Sequence, residues 1–134
     1  MAALVDGFCE SYRRAPSSIT LDIDDTCDTV HGHQQLSLFN AHYDERCFLP
    51  IHIYDAASGK PVAMILREGK TPSGEEVRTV LKHVIKRIRR HWPKVDILGV
   101  ATAITAATRR WSGAKKPKAS TTFLASPATM LFML

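Results

Sequence analysis

No stretch of the 134 residues reaches the roughly 18 consecutive apolar positions that a membrane-crossing helix needs. The opening MAALVDGFCESYRR also lacks a basic segment followed by an apolar run, so neither an anchor nor a secretory leader is expected. Cysteine is scarce: Cys9, Cys27 and Cys47 are odd in number and share no C-x-x-C or zinc-type spacing. This argues against a disulfide scaffold and for reduced thiols in a cytoplasmic protein. A further deficit lies at the end, where residues 99–134 contain no Asp, Glu, Asn, Gln or His. The length suits one domain with one core, and 45% hydrophobic with 23% charged residues argues against general disorder.

The net charge of +5 favours a polyanionic partner only weakly, but the basic residues concentrate on one segment. Before it, Leu4 to Arg14 has apolar residues near helical spacing and predicts a short helix stopped by Pro16. From Ser18 the period changes to two: Ile19, Leu21 and Ile23 share one face, while Thr20, Asp22 and Asp24 share the other. That strand delivers carboxylates at its C-terminal end. Residues Thr26 to Cys47 are polar and without sustained periodicity, which reads as a loop with a short strand near Leu36 to Phe39. Pro50 to Tyr54 and Val62 to Leu66 flank the turn-rich DAASGKP and predict an antiparallel hairpin.

TPSGEEVRTVLKHVIKRIRRHWP is the clearest helix. Thr71 before Pro72 offers one N-cap, and Ser73 with Glu76 offers a capping box instead. Val77, Val80, Leu81, Val84, Ile85, Ile88 and Trp92 form an apolar stripe, and Pro93 stops the helix. The opposite face carries Arg78, Lys82, Lys86, Arg87, Arg89 and Arg90. A short strand, Val95 to Leu98, follows. The fold class is therefore α/β (α+β): a three-stranded antiparallel meander, then a helical crossover to a parallel strand.

Two chemistries use a strand that ends in acids. Leu21-Asp22-Ile23-Asp24-Asp25-Thr26 resembles the first motif of haloacid-dehalogenase-like phosphatases, with Asp22 as nucleophile, Asp24 as acid/base and Mg²⁺ offsetting charge. That chemistry also needs a distal acidic pair, and beyond Leu66 the only acids are Glu68, Glu75, Glu76 and Asp96. The second reading uses more of the chain: an acid-bearing strand, a hairpin, a basic helix and another strand describe the first part of an RNase H-like fold. His31 and His33, with His42 and His52 nearby, lack matched ligand spacing and read as incidental.

LDIDDT, HGHQQLSLFNAHYD and RRHWPKVDIL occur in order, and together they resemble the DDE-type transposases of a bacterial insertion-sequence family, the insertion sequence 1380 group. The resemblance covers about residues 4–98 and marks the chain as part of a longer protein. It implies a partial RNase H-like fold, cleavage at transposon ends with strand transfer, Mg²⁺ or Mn²⁺ as cofactor, DNA as partner and a transposase homo-oligomer. Asp24 best matches the first catalytic carboxylate and metal ligand, with Asp22 and Asp25 as close rivals. Lys82, Lys86, Arg89 and Arg90 are candidate phosphate contacts, against a solvated outer face as the alternative. A fragment that binds DNA or transposase without catalysis is the third possibility.

After Leu98 the family runs into a block close to Arg-Gly-Asp-Ser-His-Tyr, whose Asp is the second metal ligand. Here Val100-Ala101-Thr102-Ala103-Ile104-Thr105 stands instead, and the genetic code permits the family block in the frame one base earlier. Residues 1–98 thus read as the N-terminal part of a transposase catalytic domain, and 99–134 as a disordered, out-of-frame tail. The expected consequences are loss of the later acids, an inactive chain, and an apolar stripe from Val77 to Trp92 left partly uncovered.

Overall fold

The structure is a computed structural model that describes residues 1–32, 34–101 and 130–133. Helix α1 (Ala2–Glu10) leads to strand β1 (Ser18–Asp25), then β2 (Asp28–Thr29), β3 (Leu38–Asn40), β4 (Glu45–Phe48), β5 (Ile51–Asp55) and β6 (Pro61–Ile65). Helix α2 (Gly74–His91) precedes β7 (Asp96–Ala101), and β8 is Met130–Met133. The main sheet has the order β6-β5-β1-β7-β8. β5 pairs antiparallel with both β1 and β6, while β7 lies parallel to β1. This is the expected meander followed by a crossover. β7 runs three residues further than the strand expected at Val95 to Leu98, and within the tail Met130–Met133 adds to it antiparallel. Residues 102–129 and Leu134, where the rest of the tail reading falls, and His33 lie outside the described residues.

Period-two burial makes β1 the centre of the core: Ile19, Leu21 and Ile23 are almost fully buried. They meet Ile51, Ile53, Val62 and Ile97 of the neighbouring strands, beneath Val5 and Phe8 of α1 and Val77, Leu81, Val84, Ile88 and Trp92 at α2. The stripe expected to be partly uncovered is therefore mostly closed, with Val80 and Ile85 left half-buried at its edge. The sheet itself supplies the partner surface, with α1 packed beside α2.

Of the two N-caps, the structure uses Ser73. Its hydroxyl accepts from the Glu76 amide at 3.2 Å, and the Glu76 carboxylate accepts from the Ser73 amide at 2.8 Å. Arg67 also reaches Glu76 at 2.8 Å. These donors hold the Glu76 carboxyl down at about 2, the Ser73 amide contributing most and Arg67 next. Because the folded value lies below the ordinary 4.5, this stabilisation is complete above that pH and is lost as pH falls toward 2. Ser73→Ala should cost about 1 kcal/mol in chemical denaturation, the usual worth of an N-cap. An unchanged midpoint would reject the box as a stabilising element.

Helix α1 ends at Glu10, earlier than the Arg14 expected from spacing, and the Ser11 hydroxyl at its C-cap donates to the Phe8 carbonyl at 2.8 Å. Tyr12 leaves the helix and packs edge-on against Phe8 and Trp92, with ring centroids 5.4 and 5.3 Å away. The α1–α2 contact is fixed electrostatically: Arg87 donates two hydrogen bonds to Asp6, each at 2.6 Å, and His91 Nε2 lies 2.9 Å from the same carboxylate. The Arg87 guanidinium, then His91, holds the Asp6 carboxyl far below the usual range.

Residues Thr26 to Cys47, expected as a loop, instead form a second sheet of order β2-β4-β3. Its expected strand near Leu36 to Phe39 falls at Leu38–Asn40, while Leu36 takes a left-handed φ of 66°. Asn40 is buried and organises the turn. Its Nδ2 donates to the Gly69 carbonyl at 2.9 Å, and its Oδ1 accepts from the His42 amide at 2.9 Å. These strands are only two to four residues long and mostly polar, so no periodic signal could mark them.

Candidate functional site

β1 carries all three candidate acids at its C-terminal end, but it divides them. Asp22 and Asp24 point with Thr20 to the face away from the helices, whereas Asp25 continues the phase of Ile23. Asp24 is exposed, and one of its oxygens accepts from the Asp25 amide at 2.9 Å. Asp22 is half-buried, and its Oδ1 is enclosed with no hydrogen-bond partner. Burial, then the neighbouring Asp24 charge, raises the Asp25 carboxyl, partly offset by Arg67 and His42.

Strand pairing brings two further side chains to the Asp22–Asp24 face. Tyr54 lies opposite Asp22 and His52 opposite Asp24. Their rings are parallel within 3°, with centroids 6.3 Å apart. His52 Nε2, like Asp22 Oδ1, is enclosed and unpartnered. Sequence reasoning passed over His52 as one of several incidental histidines. The signal available was its position in the polar phase of a strand pattern, but its neighbour Asp24 follows only from the β1–β5 register.

On the other side of β1, the parallel register sets Asp22 beside Val100 and Ile23 beside Ala101. Beyond the strand ends, Cys47 is buried, and burial followed by its contact with Cys27 raises its thiol to about 11. All three cysteines are free.

The basic face of α2 is divided as well. Lys82, Lys86 and Arg90 are exposed, whereas Arg87 is committed to Asp6. Arg89 donates to the carbonyls of Pro93 and Val95 just past the helix end, which suits a cation near a helix C-terminus. Of the four candidate phosphate contacts, Arg89 is therefore occupied within its own chain.

Over residues 1–105, this sequence matches the family described as transposase DDE domain group 1. The chain belongs to that family. No curated protein and no solved structure gives a match. The match to the transposase family extends past residue 98 into the first residues of the tail. Membership implies DNA as the partner and a divalent metal as the cofactor of this transposase domain. Asp22 and Asp24 offer the hard oxygen donors such a metal takes, and the unpartnered Asp22 Oδ1 suits a cation. Among the described residues, however, no group of three or more His, Cys, Asp or Glu side chains is placed to hold a metal. The donors therefore fit in type and supply only one edge of a site. Among the described residues, no helix is long and apolar enough to cross a membrane.

Proposed function

We propose that this chain is the N-terminal part of an RNase H-like transposase catalytic domain, of the insertion sequence 1380 group. In it, Asp24 is the first catalytic carboxylate, and Asp22 and Asp25 are its rivals. The observation that carries this reading is the position of the acids on β1, between antiparallel β5 and parallel β7. Asp24, exposed on the face away from the helices, can meet a metal and a DNA phosphate together. Asp25, raised by burial and by Asp24, is a weaker choice. A bound Mg²⁺ or Mn²⁺ would activate the attacking oxygen and stabilise the leaving one. The chain's own residues hold one edge of that site and, through Lys82, Lys86 and Arg90, attract the DNA backbone without reading its sequence.

The phosphatase alternative finds less support. It requires a doubly wound parallel sheet, whereas β1, β5 and β6 form an antiparallel meander.

The second acid is the missing element. The described β1–β7 register ends with Ile23 beside Ala101, one residue short of Asp24. Reading one base earlier, the codons of Ala101 and Thr102 are where the family's second Asp would be encoded. From this coding possibility we infer a frameshift near Leu98 to Val100 and, with the second acid lost, a chain without transposition activity. Incubating the chain with transposon-end DNA and Mg²⁺ or Mn²⁺ should give no cleavage. Cleavage that disappears in Asp24→Asn would overturn the inactivity while upholding the site. The nucleotide sequence across these codons tests the frameshift directly: a base-earlier frame that does not encode Asp there rejects it.

A further inference from the structure

Thr26 and Cys27 join β1 to β2, and the thiol in this short link has a counterpart on β4. In the β2–β4 ladder Asp28 stands opposite Phe48 and Thr29 opposite Cys47. Continuing that register by one pair sets Cys27 opposite Leu49. Cys27 and Cys47 therefore project from the same face as diagonal neighbours, an arrangement within reach of longer side chains. Here the two thiols are in contact.

Their surroundings differ. Cys47 has no exposed surface, whereas Cys27 is only half-buried. A reagent in solution can thus reach one sulfur, and the second lies directly behind it. Cys9 belongs to the main core under α1, a cluster that does not include Cys47. A disulfide needs its two Cα atoms within about 7 Å, the near edge of the separation found for diagonal neighbours. The remaining approach falls to Cys27, which lies outside the ladder beside a strand of only two exposed residues.

We propose that Cys27 and Cys47 form a reversible disulfide, Cys27 reacting first with a small-molecule disulfide such as oxidised glutathione and Cys47 resolving the product. The Cys27 thiolate attacks one glutathione sulfur and releases a first glutathione thiolate. Cys47 then gives up its proton and attacks the Cys27 sulfur of the mixed disulfide, releasing the second. Two protein thiols are oxidised, one glutathione disulfide is reduced, and the two protons end on the two glutathione thiols. The second attack is intramolecular, so the enclosure of Cys47 does not prevent it. Burial, then the adjacent Cys27, holds the Cys47 thiol at about 11, which makes this step faster as pH rises. The bond closes the segment containing β2 and β3 into a ring fixed to β4. It also ties down the exit of β1, since Cys27 follows Asp25 by two residues. The chemistry is independent of the role of Asp24.

The test incubates the full native chain with oxidised glutathione at mildly alkaline pH, quenches with acid, alkylates the remaining thiols and maps the peptides by mass spectrometry. The expected product is a Cys27–Cys47 linked peptide pair within one chain, lighter by two hydrogens and restored by dithiothreitol, with Cys9 alkylated throughout. Cys47→Ser should stop at the intermediate, gaining one glutathionyl group on Cys27, and Cys27→Ser should leave Cys47 unmodified by the same reagent. The map of the unsubstituted chain decides the pairing even if a variant fails to fold. Glutathione retained on Cys27 in that chain, a bond to Cys9, pairing only between chains, or both thiols still alkylated after prolonged incubation would each overturn the proposal.

Discussion

Replacing Leu21 with alanine should lower the unfolding free energy by about 3 kcal/mol, within the range for deleting a buried leucine side chain. Leu21 has no exposed surface and sits on the central strand, with β5 on one side and β7 on the other. Its backbone is held from both edges, so the sheet cannot collapse into the space left behind, and the cavity cost adds to the lost burial. For a domain of this size that corresponds to a fall of roughly 10–20 °C in melting temperature. Met64→Ala is the control, since that side chain is 48% exposed on the opposite face and should cost well under about 1 kcal/mol. Similar losses for the two variants in urea unfolding would show that the helices do not define the main core.

Gly69→Ala should be comparably severe, by the opposite mechanism. A Cβ there would overlap the carbonyl oxygen of Cys47 on β4 and come within 2.7 Å of the Leu38 carbonyl oxygen on β3. Both obstacles are backbone, so no side-chain rotation relieves them. The same glycine accepts the Asn40 side-chain hydrogen bond, so displacing it also leaves a buried amide unpaired. We expect a loss of about 3 kcal/mol, at the upper end for overpacking, concentrated on the second sheet. Hydrogen exchange should show the amides of β2, β3 and β4 losing protection while those of β1 and β5 keep it. Uniform loss would mean that the two sheets unfold as one unit. Unchanged protection would mean that the chain yields at Gly69 with little cost.

What could be read in advance follows the range of the forces involved. The phase of β1 and the stripe of α2 were legible because burial repeats every two or 3.6 residues, and each element is long enough to show it. The DAASGKP turn was legible from its residue types, and Gly59 there takes φ +67° as a tight turn requires. The second sheet was not legible, because its stability resides in distant partners such as Gly69 for Asn40. Nor was the difference among the basic residues of α2. Arg87 and Lys86 are indistinguishable by charge, and only the approach of α1 gives Arg87 its Asp6.

The candidate site shows the same limit. Asp22, Asp24 and Asp25 were visible as a cluster, and strand alternation already set Asp25 apart. His52 could not be joined to them by spacing, since strand register is set by long-range pairing. The sequence by itself determined the transposase family, the succession of α1, β1, the β5–β6 hairpin, α2 and β7, and the strand that bears the acids, because these depend on local pattern and residue identity. The tertiary structure alone decided which side chains stand beside Asp24, which cations of α2 remain exposed and which face of the sheet the helices cover. Those outcomes depend on contacts between segments far apart in the chain.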